Sequence, residues 1–170
     1  MESNFLKLAK ARYSCRSYEA RAIEPEKITA LCEAARLAPT GCNKQAQRLF
    51  VIQSPEALEK IRRCTPCHFQ APTVFLICFD KSDLWHRSWD GWDTGYTDIA
   101  SVVTHILLAA TDLGLGTCWV ACFDPQAVIR EFALPANLIP AALIPCGYPA
   151  QGPSDRHADR LPLADIVKFL

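Results

Sequence analysis

Helical and strand-like segments alternate along the chain, which by itself predicts an α/β fold with a parallel sheet. Some stretches carry apolar residues at helical spacing, and others are short continuous apolar runs bounded by turn residues. The 170 residues suit one domain spanning 1–170, and half of them are hydrophobic, so the chain can bury a substantial core.

Three helices are predicted in the first half of the chain, each beginning at a capping residue or a helix-starting proline. They begin at Ser3, Pro25 and Pro55. Pro39 ends the second of these helices and starts a loop over residues 40–43. Continuous apolar runs predict two strands, the second fully buried, at residues 49–52 and 73–79.

The second half of the chain contains the longest predicted helix and the last core strands. Residues 97–113 form an apolar central helix that Gly114 ends. Strands are predicted at residues 117–122 and 143–146, separated by a helix that Asp124 caps.

Charge and hydropathy exclude several classes of partner. Lysine plus arginine equals aspartate plus glutamate at 18 each, so neither nucleic acid nor an anionic membrane is a predicted partner. The longest apolar stretch, residues 99–110, is far shorter than the ~20 residues that span a bilayer. We recognise no export signal at the N-terminus, and with nine cysteines this predicts a reducing, cytoplasmic location.

The segment Cys64-Thr65-Pro66-Cys67-His68 has the C-x-x-C-H spacing of covalent haem attachment. Haem attachment follows export, so it is not the favoured interpretation. Zinc binding and a redox dithiol are further alternatives. No second C-x-x-C pair exists, so we favour incidental cysteines and predict no metal.

The segment Arg12-Tyr13-Ser14-Cys15-Arg16 places two guanidinium groups and a hydroxyl at alternating positions. In an extended backbone these three side chains point the same way. Arginine offers a planar fork of donors that matches phosphate oxygens. The segment therefore predicts a phosphate-binding site, and a solvated turn is the alternative interpretation.

Further motifs follow this segment in a fixed order. They are Ala38-Pro39-Thr40-Gly41-Cys42-Asn43-Lys44-Gln45, Asp98-Ile99-Ala100, Leu113-Gly114-Leu115-Gly116-Thr117-Cys118-Trp119-Val120, Cys146-Gly147-Tyr148-Pro149 and Asp159-Arg160-Leu161-Pro162-Leu163. Their order and spacing resemble the nitroreductase family of flavin mononucleotide (FMN) enzymes, over residues 11–167. The resemblance implies an α+β fold with a mixed central sheet flanked by helices, which we adopt in place of the α/β class.

The resemblance also implies a homodimer with the flavin sites at its interface and a C-terminal segment that embraces the partner. The chain has a segment that suits this role, because Pro162 opens a predicted amphipathic helix that needs a surface to cover. The apolar face of that helix consists of Leu163, Ile166, Val167 and Leu170.

One half of the implied flavin site comes from the arginine motifs. Arg12 and Ser14 would hold the FMN phosphate. Arg16 would lie near N1 and O2 of the flavin as the catalytic residue, because a permanent cation there stabilises the charge that develops on reduction. Arg160 would close on the phosphate, or else pair at the surface with a neighbouring aspartate. Many family members carry a lysine two residues before that arginine, whereas this chain has Ala158.

The other implied contacts come from two further segments. Pro39, Thr40, Gly41 and Asn43 would bind the flavin of the partner subunit, with a left-handed turn as the alternative role of Asn43. The backbone N–H groups of Val120, Ala121 and Cys122 would face N5 of the flavin. Gly114 and Gly116 form no phosphate fingerprint, and helix termination explains them.

The aromatic segment, residues 81–96, contains Trp85, His86, Trp89, Trp92 and Tyr96. It either fills the core or forms a wall over the flavin, where flat substrates stack.

The resemblance implies an oxidoreductase that passes hydride from NADH or NADPH to a small aromatic acceptor such as a nitroaromatic or quinone, by a ping-pong mechanism. Two alternatives remain at this point. One is an enzyme of the same fold that dehalogenates aromatics or breaks down flavin, and the other is a non-catalytic flavin-binding or electron-relay module.

Overall fold

The computed structural model describes residues 3–170 as helices packed on a four-stranded sheet. The helices are α1 (Asn4–Ala11), α2 (Pro25–Arg36), α3 (Pro55–Cys64), α4 (Gly95–Asp112), α5 (Pro125–Phe132) and α6 (Leu163–Ile166). The strands are β1 (Gln47–Ile52), β2 (Thr73–Asp80), β3 (Gly116–Thr117) and β4 (Leu138–Gly147). Ser3, Ser54 and Asp124 cap α1, α3 and α5 with their side chains.

The sheet has the strand order β1-β2-β4-β3, and its three ladders are all antiparallel. The parallel sheet predicted from alternation alone is therefore wrong, and the α+β class is confirmed. Parallel pairing occurs in the described chain as an isolated bridge between Ser14 and Thr117. That bridge joins the first arginine motif to the end of the sheet.

Two hydrophobic layers enclose the sheet, so both faces of β2 are buried along its whole length. One layer is formed by α2 and α4, where Leu31, Val102 and Ile106 pack against Phe75 and neighbouring strand residues. The other is formed by α3 and α5 against the opposite face of the sheet. This explains why β2 is a continuous apolar run rather than an alternating one.

The strand predicted at residues 117–122 is shorter than expected. Regular pairing stops after Thr117, and Val120 rejoins β4 through an isolated bridge to Leu143. Cys118 donates its backbone N–H to Pro145 O, but proline has no N–H to donate in return. The ladder is therefore interrupted there, and residues 121–122 are irregular and exposed.

The predicted terminal helix is also shorter than expected. Only Leu163–Ile166 is helical, and Val167 is extended with φ −126° and ψ 130°. Short helices are marginal without tertiary packing, and residues 158–170 are all exposed in the single chain. No helix within residues 3–170 has the length and apolar composition needed to cross a bilayer.

Candidate functional site

The first arginine motif is an extended segment that follows α1 and lies against β3. Cys15 donates its backbone N–H to Thr117 O at 2.9 Å, and its side chain is only 1% exposed. Gly116 makes this approach possible, because a Cβ there would lie 2.7 Å from Cys15 Sγ. With Cys15 pointing inward, the side chains on either side of it face away from the core, as the alternation predicted.

These outward side chains line a cavity of about 310 Å³. Arg12, Ser14 and Arg16 contribute from the first motif, and Arg160 contributes from the C-terminal segment. The structure therefore brings Arg12, Ser14 and Arg160, which were predicted for the phosphate, together with Arg16, which was predicted for N1 and O2 of the flavin. The interpretation of the first motif as a freely solvated turn is not supported, because the segment is paired with the sheet.

The same cavity contains residues that sequence analysis missed. Tyr13, Ser154, Arg156 and His157 complete its lining. The last two belong to a 3₁₀ turn at Asp155–His157. The sequence offered a signal for Arg156 and His157, because they directly precede Ala158, the position at which many family members have a lysine.

Two hydrogen bonds fasten the C-terminal segment beside the first motif. His157 Nε2 lies 2.7 Å from Lys10 O, at the end of α1, and donates to it. Tyr13 donates its hydroxyl to Gln151 O, also at 2.7 Å. The rings of Tyr13 and His157 make an edge contact with centroids 6.2 Å apart. These contacts therefore hold the C-terminal side of the cavity against the first arginine motif of the same chain.

The cavity is electropositive. Within residues 3–170, none of its four arginines forms an ion pair with a carboxylate. Arg160 donates to the backbone carbonyl of Asp159 at 2.7 Å, so its predicted surface pairing with an aspartate side chain is wrong. Guanidinium groups that converge without a carboxylate leave their charge available to an anionic ligand.

The loop that begins at Pro39 lies elsewhere, because none of its residues lines the arginine cavity. Its backbone is strained: Cys42 and Asn43 have φ of 48° and 54°, and Gln45 has 52°. The left-handed conformation considered for Asn43 is thus confirmed, while its side chain is exposed and makes no hydrogen bond in the described chain. Gly41 donates its N–H to Asp98 Oδ1 at 2.9 Å, which joins the loop to α4.

The segment from Val120 to Cys122 divides into two parts. Val120 exchanges both backbone hydrogen bonds with Leu143, at 2.9 and 3.0 Å, so its N–H is not available to a flavin. The predicted N5 contact by Val120 is therefore wrong for that donor. Ala121 and Cys122 are exposed, and their N–H groups make no hydrogen bond with any described residue, so their predicted role stands as a prediction.

An apolar cavity of about 420 Å³ lies beside this segment. Its lining residues are Tyr96, Ile99, Trp119, Ala121, Phe123, Pro125, Pro140 and Ala141. Aromatic and aliphatic walls suit a flat apolar ligand or an apolar partner surface.

The tip of the aromatic segment forms an exposed hairpin, whereas Leu84 at its base is buried in the core. His86 pairs with Asp93, and Arg87 lies over the Trp92 ring, 5.0 Å from its centroid. Trp89 at the tip is 89% exposed. The core-filling interpretation is therefore wrong for the tip, and the wall over a flavin stays a prediction.

The C-x-x-C segment is part of the packed structure at the end of α3. Cys64 is buried at the end of α3, where burial raises the pKa of its thiol. Thr65 donates its hydroxyl to Cys122 O, which joins this segment to the neighbouring loop. No group of three or more potential metal ligands is arranged around a common point within residues 3–170.

Comparisons with known proteins agree with this geometry. The sequence model of the nitroreductase family matches residues 9–65 and 63–148 of this chain. A nitroreductase family protein of Clostridium difficile 630 has a crystal structure that superposes with a TM-score of 0.93 at 42% identity, covering 98% of each chain. A Desulfovibrio desulfuricans structure that contains FMN gives 0.81 at 27% identity, covering 100% of this chain and 98% of that one.

A curated relative extends the match to a functional name. The protein of Methanothermobacter thermautotrophicus provisionally named NADH dehydrogenase/NAD(P)H nitroreductase is 32% identical over 158 residues, which is 89% of this chain and 80% of the relative. Family match, sequence identity and superposition all point the same way, and the chain belongs to the nitroreductase family.

Proposed function

We propose that this protein is an FMN-dependent oxidoreductase that takes hydride from NADH or NADPH and reduces a small aromatic acceptor. The observation that carries the proposal is the convergence on one cavity of Ser14 and four arginines that pair with no carboxylate in the described part of the chain. Relatives support it by their names, since one from Bacillus subtilis is an FMN reductase that uses NAD(P)H. FMN, when bound, supplies the hydride-accepting centre.

The residues of the cavity fit a phosphate monoester. Arg12 of the first motif and Arg160 of the C-terminal segment both line it and offer forked donors, and Ser14 adds a hydroxyl. Arg156 contributes a further cation from the 3₁₀ turn. A dianionic phosphate balances part of this charge, so binding relieves repulsion between the guanidinium groups as well as adding hydrogen bonds.

Arg16 is the residue that we assign to catalysis. It lies at the other end of the same extended segment, where its Nη1 donates to Ser14 O at 3.3 Å. A permanent cation beside the pyrimidine edge of the flavin favours the negative charge that hydride transfer creates. No side-chain acid is required, because protons can come from solvent. We propose that donor and acceptor use the same flavin face in turn, by a ping-pong mechanism. Intersecting double-reciprocal plots would contradict this mechanism, because they show that donor and acceptor are bound together.

The working form that we propose is a homodimer. Within one chain the loop with Thr40 and Asn43 is bonded to α4 through Gly41 and contributes no residue to the lining of the arginine cavity. We therefore propose that a second copy supplies the loop that completes each site. The C-terminal residues Leu161, Leu163 and Phe169 are 70, 69 and 95% exposed, which suits an arm that covers a partner. Mixing an Arg12→Ala chain with an Asn43→Ala chain should restore one intact site per heterodimer.

Flavin affinity tests the cofactor assignment directly. Arg12→Ala should weaken FMN binding far more than riboflavin binding, because riboflavin lacks the phosphate. Arg62→Ala is the matched control, since that arginine is exposed on α3 and pairs with Glu59 at 2.9 Å. Equal weakening of FMN and riboflavin would remove the phosphate role. NAD(P)H consumption by the apoprotein that does not increase when FMN is added would refute the activity.

A further inference from the structure

Asp98 is a buried carboxylate that the proposed chemistry does not use. It lies in the first turn of α4 and is 7% exposed. Its Oδ1 accepts the Gly41 N–H at 2.9 Å, whereas its Oδ2 has no hydrogen-bond partner in the described chain. Burying a carboxylate with one oxygen unsatisfied is costly, so its position requires an explanation beyond packing.

The loop that Asp98 contacts would not be stable by itself in the observed conformation. Cys42, Asn43 and Gln45 all have left-handed backbones, which non-glycine residues adopt at a cost. The hydrogen bond from Gln45 N to Thr40 Oγ1, at 3.0 Å, is internal to the loop. At its far end, Arg48 Nη1 donates to Gln45 O at 3.0 Å. At its N-terminal end, the loop is bonded to the rest of the protein through the hydrogen bond from Gly41 to Asp98.

The N-terminal end of the loop is also pressed tightly against the start of α4. A Cβ at Gly41 would lie 2.7 Å from Thr94 Cγ2, so only glycine fits. Thr94 is itself buried, and its hydroxyl, like Asp98 Oδ2, has no partner among residues 3–170. The close contact and the carboxylate acceptor therefore act on the same residue of the loop.

We propose that Asp98 is the positioning residue that holds residues 40–45 in the conformation that contacts the flavin. This inference rests on the proposed function, because it assumes that the loop forms half of the flavin site. The charged acceptor offsets the strain of the loop before the flavin arrives, so binding does not have to order it. Asp98 acts through Gly41 and does not touch the flavin.

The test compares three variants by FMN dissociation constant. Asp98→Ala removes the acceptor and should weaken FMN binding about tenfold to a hundredfold, as expected for a hydrogen bond to a charged group. Asp98→Asn keeps an acceptor oxygen without the charge and should therefore bind FMN with an affinity between those of Asp98→Ala and wild type. Thr94→Val is the matched control, because it removes a buried polar atom beside Asp98 but leaves the bond to Gly41. An equal loss in Thr94→Val and Asp98→Ala would overturn the proposal.

A double-mutant cycle separates positioning from general destabilisation. Asp98→Ala should have little further effect in an Asn43→Ala background, because both act through the loop. It should have its full effect in an Arg12→Ala background, because Arg12 belongs to the other half of the site. Equal effects in both backgrounds would show that Asp98 supports only the fold.

A second pair of variants covers the case in which Asp98→Ala does not fold. Gly41→Ala should weaken FMN by pushing the loop away from Thr94, and adding Thr94→Ala should recover part of the affinity. No loss in Gly41→Ala would overturn the proposal. A wild-type protein that binds no FMN would instead refute the proposed function, whereas normal FMN binding by Asp98→Ala beside weakened binding by Arg12→Ala would refute this inference alone.

Discussion

Tyr18→Phe tests whether one buried hydroxyl fastens the arginine-bearing segment to the sheet. The Tyr18 hydroxyl lies 2.8 Å from Cys15 O and 3.0 Å from Pro145 O. Cys15 belongs to the first arginine motif, and Pro145 belongs to β4. Phenylalanine removes only the oxygen, so the ring packing is kept and the loss reports on the hydrogen bond.

The magnitude follows from what each carbonyl keeps. A hydroxyl donates one proton, and Pro145 O still receives the Cys118 N–H at 3.2 Å after the substitution. Cys15 O then loses its partner in a buried setting. A lost hydrogen bond together with an unsatisfied buried carbonyl costs about 2 kcal/mol. In a chain of this size that corresponds to a fall of about 4–8 °C in Tm.

The pH dependence gives a second, independent signature. Burial, and then the neighbouring thiols of Cys15, Cys118 and Cys146, raise the pKa of Tyr18 far above its ordinary value of 10.0. A pKa that is higher in the folded state means that the contribution is fully present below pH 10 and is lost as the pH rises further. The stability gap between wild type and Tyr18→Phe should therefore shrink above pH 10.

Urea unfolding of the apoprotein, followed by far-ultraviolet circular dichroism at pH 7 and above pH 10, measures both effects. Tyr13→Phe is the control, because its hydroxyl bonds Gln151 O at an exposed position and should cost less. A Tyr18→Phe protein within about 0.5 kcal/mol of wild type at pH 7 would refute the reasoning, since that is the smallest net value expected for one hydrogen bond.

Two further predictions concern surface groups. A hydrogen bond from Tyr148 and the pairing with Arg21 lower the pKa of Glu24 from 4.5 to about 2; its contribution is therefore present above pH 4.5 and lost as the pH falls towards 2. Acid titration of stability should show a smaller loss for Glu24→Gln than for wild type. Among the cysteines, Cys42 and Cys122 are exposed and should be alkylated first. Added FMN should slow alkylation of Cys42 in the loop, and mass spectrometry of labelled peptides measures this.

Local pattern was enough to predict the helices α1 to α5 and the buried strand. The apolar spacing of α2 and the continuous run of β2 are set by which side chains must be buried, and both elements appear where expected. The same reasoning placed Arg12, Ser14 and Arg16 together, because period-two alternation is a local property of extended backbone. Burial of Cys15 between them is its direct consequence.

Pairing direction and chain-end structure could not be predicted in the same way. A helix lies between β1 and β2, yet these strands pair antiparallel, so a helical connection does not by itself imply a parallel pair. The break in the ladder at Cys118 depends on Pro145, a residue of a different strand that is adjacent only in the folded sheet. Tertiary pairing decided both features, and sequence spacing carries little information about it.

The missing lysine at Ala158 leads to a last prediction, about Arg156. The family pattern brings a cation to the phosphate from two residues before Arg160, whereas this chain places Arg156 in the cavity from the 3₁₀ turn. If Arg156 replaces that lysine, Arg156→Ala should weaken FMN about tenfold while changing riboflavin affinity little, as for one charge-assisted contact. Adding Ala158→Lys to that variant should restore much of the loss. Ala158→Lys in a chain that keeps Arg156 should increase FMN affinity less, because Arg156 already supplies a cation to the phosphate. Unchanged FMN affinity in Arg156→Ala, measured beside a clear loss in Arg12→Ala, would show that Arg156 only lines the cavity.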